Sequence, residues 1–119
     1  MDVTYIIHIA SPVYTDVKDE DELLKPAVNG TLAILKGAKL HKIKRVVITS
    51  SATAIYFSRE LKDKYNDEDW SDPSIVDPLI KSKIFSEKIA WQFVKNLKKD
   101  EKFDLVSINP GFIIGPSIK

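Results

Sequence analysis

The sequence contains no cysteine in 119 residues. That excludes disulfide frameworks, thiolate nucleophiles and cysteine-based metal sites. Its two histidines, His8 and His41, are too few and too far apart to suggest a metal centre. No apolar run reaches the ~18 residues of a membrane span, and no basic segment leads into an apolar one at the start. A cytoplasmic or organelle-matrix location is the expectation. Net charge is only +1, so no strong field draws the chain to nucleic acid or to an anionic membrane. Its lysines alternate with acids, as in Lys18-Asp19-Glu20 and Lys99-Asp100-Glu101-Lys102, which reads as solvated surface.

What remains is ordinary globular material, 44% hydrophobic and 29% charged, enough for one domain with a modest core. Val3–Ile9 is a nearly continuous β-branched run, the pattern of a strand buried on both faces in a parallel sheet. Ala10-Ser11-Pro12 ends it. A helix follows over about 22–41, with Leu24, Val28, Leu32 and Leu35 on one face. Asn29-Gly30 interrupts it with poor helix formers. The glycine implies either close packing on the sheet or an Asn29 side chain bonded to a neighbouring strand.

Residues 45–51 form a second strand ending in Thr49-Ser50-Ser51, and 104–109 a third, broken at Pro110-Gly111. Between them, Trp70, Pro73 and Pro78 suggest an ordered loop. A second helix runs over about 78–99, with Phe85, Ile89, Phe93 and Leu97 at intervals of four. Strand, helix, strand, helix, strand implies a parallel sheet with helical crossovers. Taken alone, Ser50-Ser51 marks a loop start, and Lys83 is one more lysine on a polar helix face.

Six blocks together carry more. They are YIIHIASP at 5–12, KPAVNGTLAIL at 25–35, KRVVITSSAT at 44–53, DWSDP at 69–73, KSKIFSEKIAW at 81–91 and SINPGFIIGP at 107–116. In content, order and spacing the chain resembles the extended short-chain dehydrogenase/reductases. The resemblance is to the branch of dihydroflavonol reductases, cinnamoyl-CoA reductases and related epimerase/dehydratases. It implies a partial Rossmann-like, doubly wound parallel α/β sheet of three strands and two long helices. Residues 1–119 would be the central to C-terminal part of an NAD(P)-binding domain. None of the four glycines, at 30, 37, 111 and 115, forms the family's glycine-rich turn, and the substrate domain would also lie outside.

The family reduces a carbonyl by hydride transfer from NADP or NAD. A tyrosine carries the proton, and a lysine one turn later binds the ribose and lowers the tyrosine pKa. The resemblance places the catalytic serine at Ser51 and the lysine at Lys83. It sets Ala10, Ser11, Pro12, Thr49, Ser50 and Lys83 at the cofactor, with Pro110, Gly111 and Phe112 beside the nicotinamide. Asn29 would support the active site. The tyrosine position is Leu79, four residues before Lys83, and leucine has no proton to give. Tyr56 and Tyr65 precede it in the loop.

The implied partner is a small-molecule carbonyl substrate, with a homodimer or larger assembly formed through the two helices, where Phe93 and Leu97 could face a partner. Leu79 makes an incomplete or inactive oxidoreductase the expectation. The alternative is a non-catalytic scaffold or assembly subunit that keeps the fold. The enzymatic reading requires three parallel strands side by side, and Ser51 and Lys83 opening onto one surface.

Overall fold

The computed structural model describes residues 3–13 and 16–116. Strands β1 (Tyr5–His8), β2 (Arg45–Thr49) and β3 (Asp104–Ile108) form one parallel sheet in that order. Ile6 pairs with Val46 and Val46 with Leu105; His8 pairs with Ile48 and Ile48 with Ser107. Helix α1 (Asp21–Leu40) joins β1 to β2. A single turn α2 (Thr53–Tyr56), helix α3 (Pro78–Lys95) and a 3-10 turn at Lys99–Glu101 join β2 to β3. This is the expected parallel order, a Rossmann-like α/β fragment. α3 starts where it does because Asp77 accepts a hydrogen bond from the Ile80 amide at 3.0 Å, with Pro78 in the first helical position.

Both long helices pack on one face of the sheet. Strand residues alternate in direction, so Ile6, Val46, Ile48 and Leu105 meet Leu35, Ala38, Ala90 and Leu97 in one core. No helix packs on the opposite face among the described residues, and Tyr5 and Ile7 there are 63% and 69% exposed. This corrects the expectation of a first strand buried on both sides: β1 is covered from one side only. The chain exposes 8871 Å², against ~6,500 Å² for a compact protein of its 13.5 kDa.

The helix faces also differ from the expected stripes. α1 buries Leu23, Ala27, Thr31, Leu35 and Ala38, while Leu24, Val28 and Leu32 are half-buried on its flank. α3 buries Ser82, Ile84, Glu87 and Ala90, and Phe85 is exposed. The buried sets mix small side chains with the fully buried Leu23, Leu35 and Ile84. Leu97 is buried, and the half-buried Phe93 packs against the same core.

Neither reading of Asn29-Gly30 survives. A Cβ at Gly30 would meet nothing within 4 Å, and Asn29 is exposed. Gly30→Ala is therefore expected to stabilise the chain by about 0.5–1 kcal/mol, by lowering the backbone entropy of the unfolded state. Urea unfolding checks this, and a lower midpoint would show that the space is filled.

The segment between α2 and α3 is tied back to the turn α2: the Ser71 amide donates to the Ala54 carbonyl at 2.9 Å. Ser71 is buried; its hydroxyl donates to the Thr53 carbonyl at 2.7 Å and accepts from the Phe57 amide at 2.8 Å. The Lys88 ammonium lies 5.0 Å from the centre of the Trp70 ring.

Candidate functional site at the strand ends

The C-terminal ends of β1 and β2 meet α1 and α3 around a cavity of about 20 Å³. His8, Ala10 and Ser11 line it from the first strand, and Ile48, Thr49 and Ser50 from the second. Thr31 of α1 and Lys83, Ser86 and Glu87 of α3 close it. The Ser50 and Ser86 hydroxyls are buried and find no hydrogen-bond partner among the described residues. Such groups are nearly always satisfied in folded proteins, so this cavity suits a polar occupant.

The half-buried Lys83 enters none of the described ion pairs. Burial holds its pKa below the ordinary lysine value. Nε2 of His8 lies 3.5 Å from the Thr31 hydroxyl. Burial first, and the Lys83 charge second, push the His8 pKa down. A desolvated ammonium beside a neutral imidazole and two unsatisfied hydroxyls suits a ligand rich in oxygen acceptors.

His8 makes the fold sensitive to mild acid. Its folded pKa lies below the unfolded 6.5, so the unfolded chain binds more protons in the window beneath 6.5. Stability should be full above that value and fall as pH drops from 6.5 toward the folded pKa. Urea unfolding at pH 7.5 and 5.5 measures the slope. His8→Gln should flatten it, and an unchanged slope would assign the effect elsewhere.

Five of the positions expected at a cofactor, Ala10, Ser11, Thr49, Ser50 and Lys83, line this one cavity. Pro12 is half-buried and does not line it. Ser51, Pro110, Gly111 and Phe112 instead line a neighbouring cleft of about 190 Å³, with Ala52, Thr53 and Tyr56. Ser51 and Lys83 thus line two adjoining cavities at the same strand ends rather than a single pocket. Ser50 continues the buried series of Val46 and Ile48, while Thr49 and Ser51 are half-buried.

The two cavities are linked by a polar chain around the buried Glu87 that sequence reasoning missed. Glu87 Oε2 accepts from Asn109 Nδ2 at 2.8 Å, and Oε1 accepts from the Trp91 indole N–H at 3.2 Å. The same Asn109 amide donates to the Ser51 carbonyl at 3.1 Å. Ser107 donates to Asn109 Oδ1 at 2.9 Å. One readable signal existed: Glu87 lies one helical turn beyond Lys83, on the same face of α3.

Leu79 is half-buried in the first turn of α3, four residues before Lys83, and its carbonyl accepts from the buried Ser82 hydroxyl at 2.6 Å. Asn29, on the exposed side of α1, does not reach the site; Thr31 does.

The profile of the 3-beta hydroxysteroid dehydrogenase/isomerase family matches residues 1–119. The chain belongs to this family of extended short-chain dehydrogenase/reductases. It is 37% identical over 133 residues to the NADPH-dependent methylglyoxal reductase GRE2 of Saccharomyces cerevisiae, covering 98% of this chain and 38% of that protein. It is 40% identical over 123 residues to the cinnamoyl-CoA reductase CAD2 of Medicago truncatula, covering 96% of this chain and 36% of that one. The crystal structure of yeast methylglyoxal/isovaleraldehyde reductase Gre2 complexed with NADPH superposes with a TM-score of 0.84 at 32% identity, over 99% of this chain and 39% of that chain. The chain thus spans less than two-fifths of the length of these relatives. These family members are reductases, and no helix among the described residues is long and apolar enough to cross a membrane.

Proposed function

We propose that this chain carries the strand-end half of a dinucleotide-dependent carbonyl reductase site, with NADPH as the cofactor. The observation that carries the reading is Lys83, a half-buried ammonium outside the described ion pairs, sharing a cavity with the buried, unpartnered Ser50 hydroxyl. Both are groups that a ribose hydroxyl and its neighbouring oxygens would satisfy. The yeast reductase Gre2 named above, NADPH-dependent and crystallised with NADPH, supports the choice of cofactor.

When bound, the dinucleotide supplies a hydride. Lys83 and Ser50 hold its hydroxyls, Ala10, Ser11 and Thr49 wall the cavity, and Pro110, Gly111 and Phe112 border the adjoining cleft. Ser51 Oγ donates to a substrate carbonyl oxygen. The substrate is a small aldehyde or ketone. In its natural full-length form the protein is expected to consume NADPH with a short aliphatic aldehyde. Absence of both cofactor binding and turnover contradicts the proposal.

Leu79 favours a second reading, an assembly subunit that retains the fold without the chemistry. Cofactor binding without turnover is its signature. A homodimer through α1 and α3 would use exposed positions such as Phe85 rather than the buried Leu97.

A further inference from the structure

We infer that the Tyr56 hydroxyl carries the proton that Leu79 cannot. The inference rests on the reductase reading above. Ser51 Oγ accepts two hydrogen bonds, from the Thr53 amide at 3.2 Å and from the Thr53 hydroxyl at 2.8 Å. Its own hydrogen is therefore free to point into the cleft, and the two incoming donors strengthen it as a donor. Thr53 and Tyr56 are three residues apart on the single turn α2, so they share one side of it. Both line the cleft that holds Ser51.

The Tyr56 ring is steadied by a tilted contact with Phe57, 4.7 Å between centres. At 38% exposed, it also reaches water. The other described tyrosines are less suited. The Tyr65 hydroxyl is already bonded to Ser58 Oγ and to the Lys62 amide, each at 3.1 Å. Tyr5 lies on the open face of the sheet, at the start of β1. Tyr14 lies outside the described residues.

The step balances as follows in atoms and charge. A carbonyl held by Ser51 Oγ–H gains a hydride at carbon from the reduced nicotinamide, and its π electrons move to oxygen. That oxygen takes the proton from Tyr56 Oη, whose O–H electrons stay on the phenolate. Water then returns a proton to Oη through the exposed side of the ring.

The test uses the natural full-length protein, with NADPH and a short aliphatic aldehyde. Tyr56→Phe keeps the ring contact and should lower kcat about 10²–10⁴-fold with NADPH affinity unchanged. Leu79→Tyr added to Tyr56→Phe should restore part of the loss, by returning a phenol one turn before Lys83. With tyrosine ring carbons labelled, the NMR signal that Tyr56→Phe removes should shift when an unreactive amide analogue of the aldehyde is added. An unchanged kcat in Tyr56→Phe overturns the role of Tyr56, whatever the shift, and leaves the reductase reading intact. NADPH binding without turnover in the unsubstituted protein also overturns it, in favour of the subunit reading. Failure to bind NADPH at all overturns both.

Discussion

Replacing Lys83 by methionine is expected to give a chain that is more stable and has lost most of its cofactor affinity. The two effects share one cause. Burial lowers the Lys83 pKa from 10.5, so at neutral pH the folded state holds a charge that water would solvate better. The unfolded state binds more protons than the folded one between the folded pKa and 10.5. Stability therefore rises with pH through that window, and the penalty is fully present below it. Methionine keeps the length of the stem and removes the penalty. The melting temperature at pH 7 should rise, and the alkaline slope should vanish. On the reductase reading, the same ammonium hydrogen-bonds a ribose hydroxyl, an interaction worth about 1.5–3 kcal/mol. NADPH affinity should accordingly fall on the order of 10–100-fold. A methionine variant that is less stable at neutral pH would show that Lys83 has a compensating partner.

Removing Glu87 should act in the opposite direction. This side chain is 7% exposed and accepts from two donors on different elements, Trp91 in its own helix and Asn109 just beyond β3. Glu87→Ala leaves both donors without that acceptor and opens a gap under α3. The expected cost is about 2–3 kcal/mol, read from denaturant unfolding. Glu87→Gln keeps one acceptor and should cost about 1 kcal/mol. Asn109 also holds the Ser51 carbonyl, so the alanine variant should disturb the turn after β2. Amide exchange at Ser50 and Ala52, which donate to the Ile108 and Pro110 carbonyls, should speed up in Glu87→Ala and stay slow in Glu87→Gln. Equal effects from both variants would mean that the network does not hold the turn.

The layer order was readable because three apolar strand runs end abruptly in serine, threonine or proline, and a helical period separates each from the next. Register and side were less so. Val3–Ile9 reads as fully buried because nothing in its composition says how many layers cover it; Ile7 and Ile9 end up exposed. The faces of α1 and α3 were misplaced because small or polar residues, Ala27, Thr31, Ala38, Ser82 and Ala90, are among those buried. Hydrophobic periodicity weights the larger neighbours instead.

At the site, Lys83 stands out only because the neighbouring motifs fix its frame. That Ser50 is buried with Val46 and Ile48 was legible in principle from their alternation. The Glu87–Asn109 bond joins residues 22 apart in sequence. Only packing brings them together, so no local pattern announces it. The turn α2, which sets Thr53 beside Ser51 and Tyr56, is too short for any periodic signal.

The central claim is that a dinucleotide lies at the C-terminal ends of β1 and β2, held by Lys83. Titrating NADPH into the isotopically labelled full-length protein tests it most directly. Saturable amide shifts clustered at Ala10, Ser11, Ser50 and Lys83, and lost in Lys83→Met, are the predicted result. Shifts confined to the open sheet face at Ile7, Val47 and Val106, or no saturable shift at all, would contradict it.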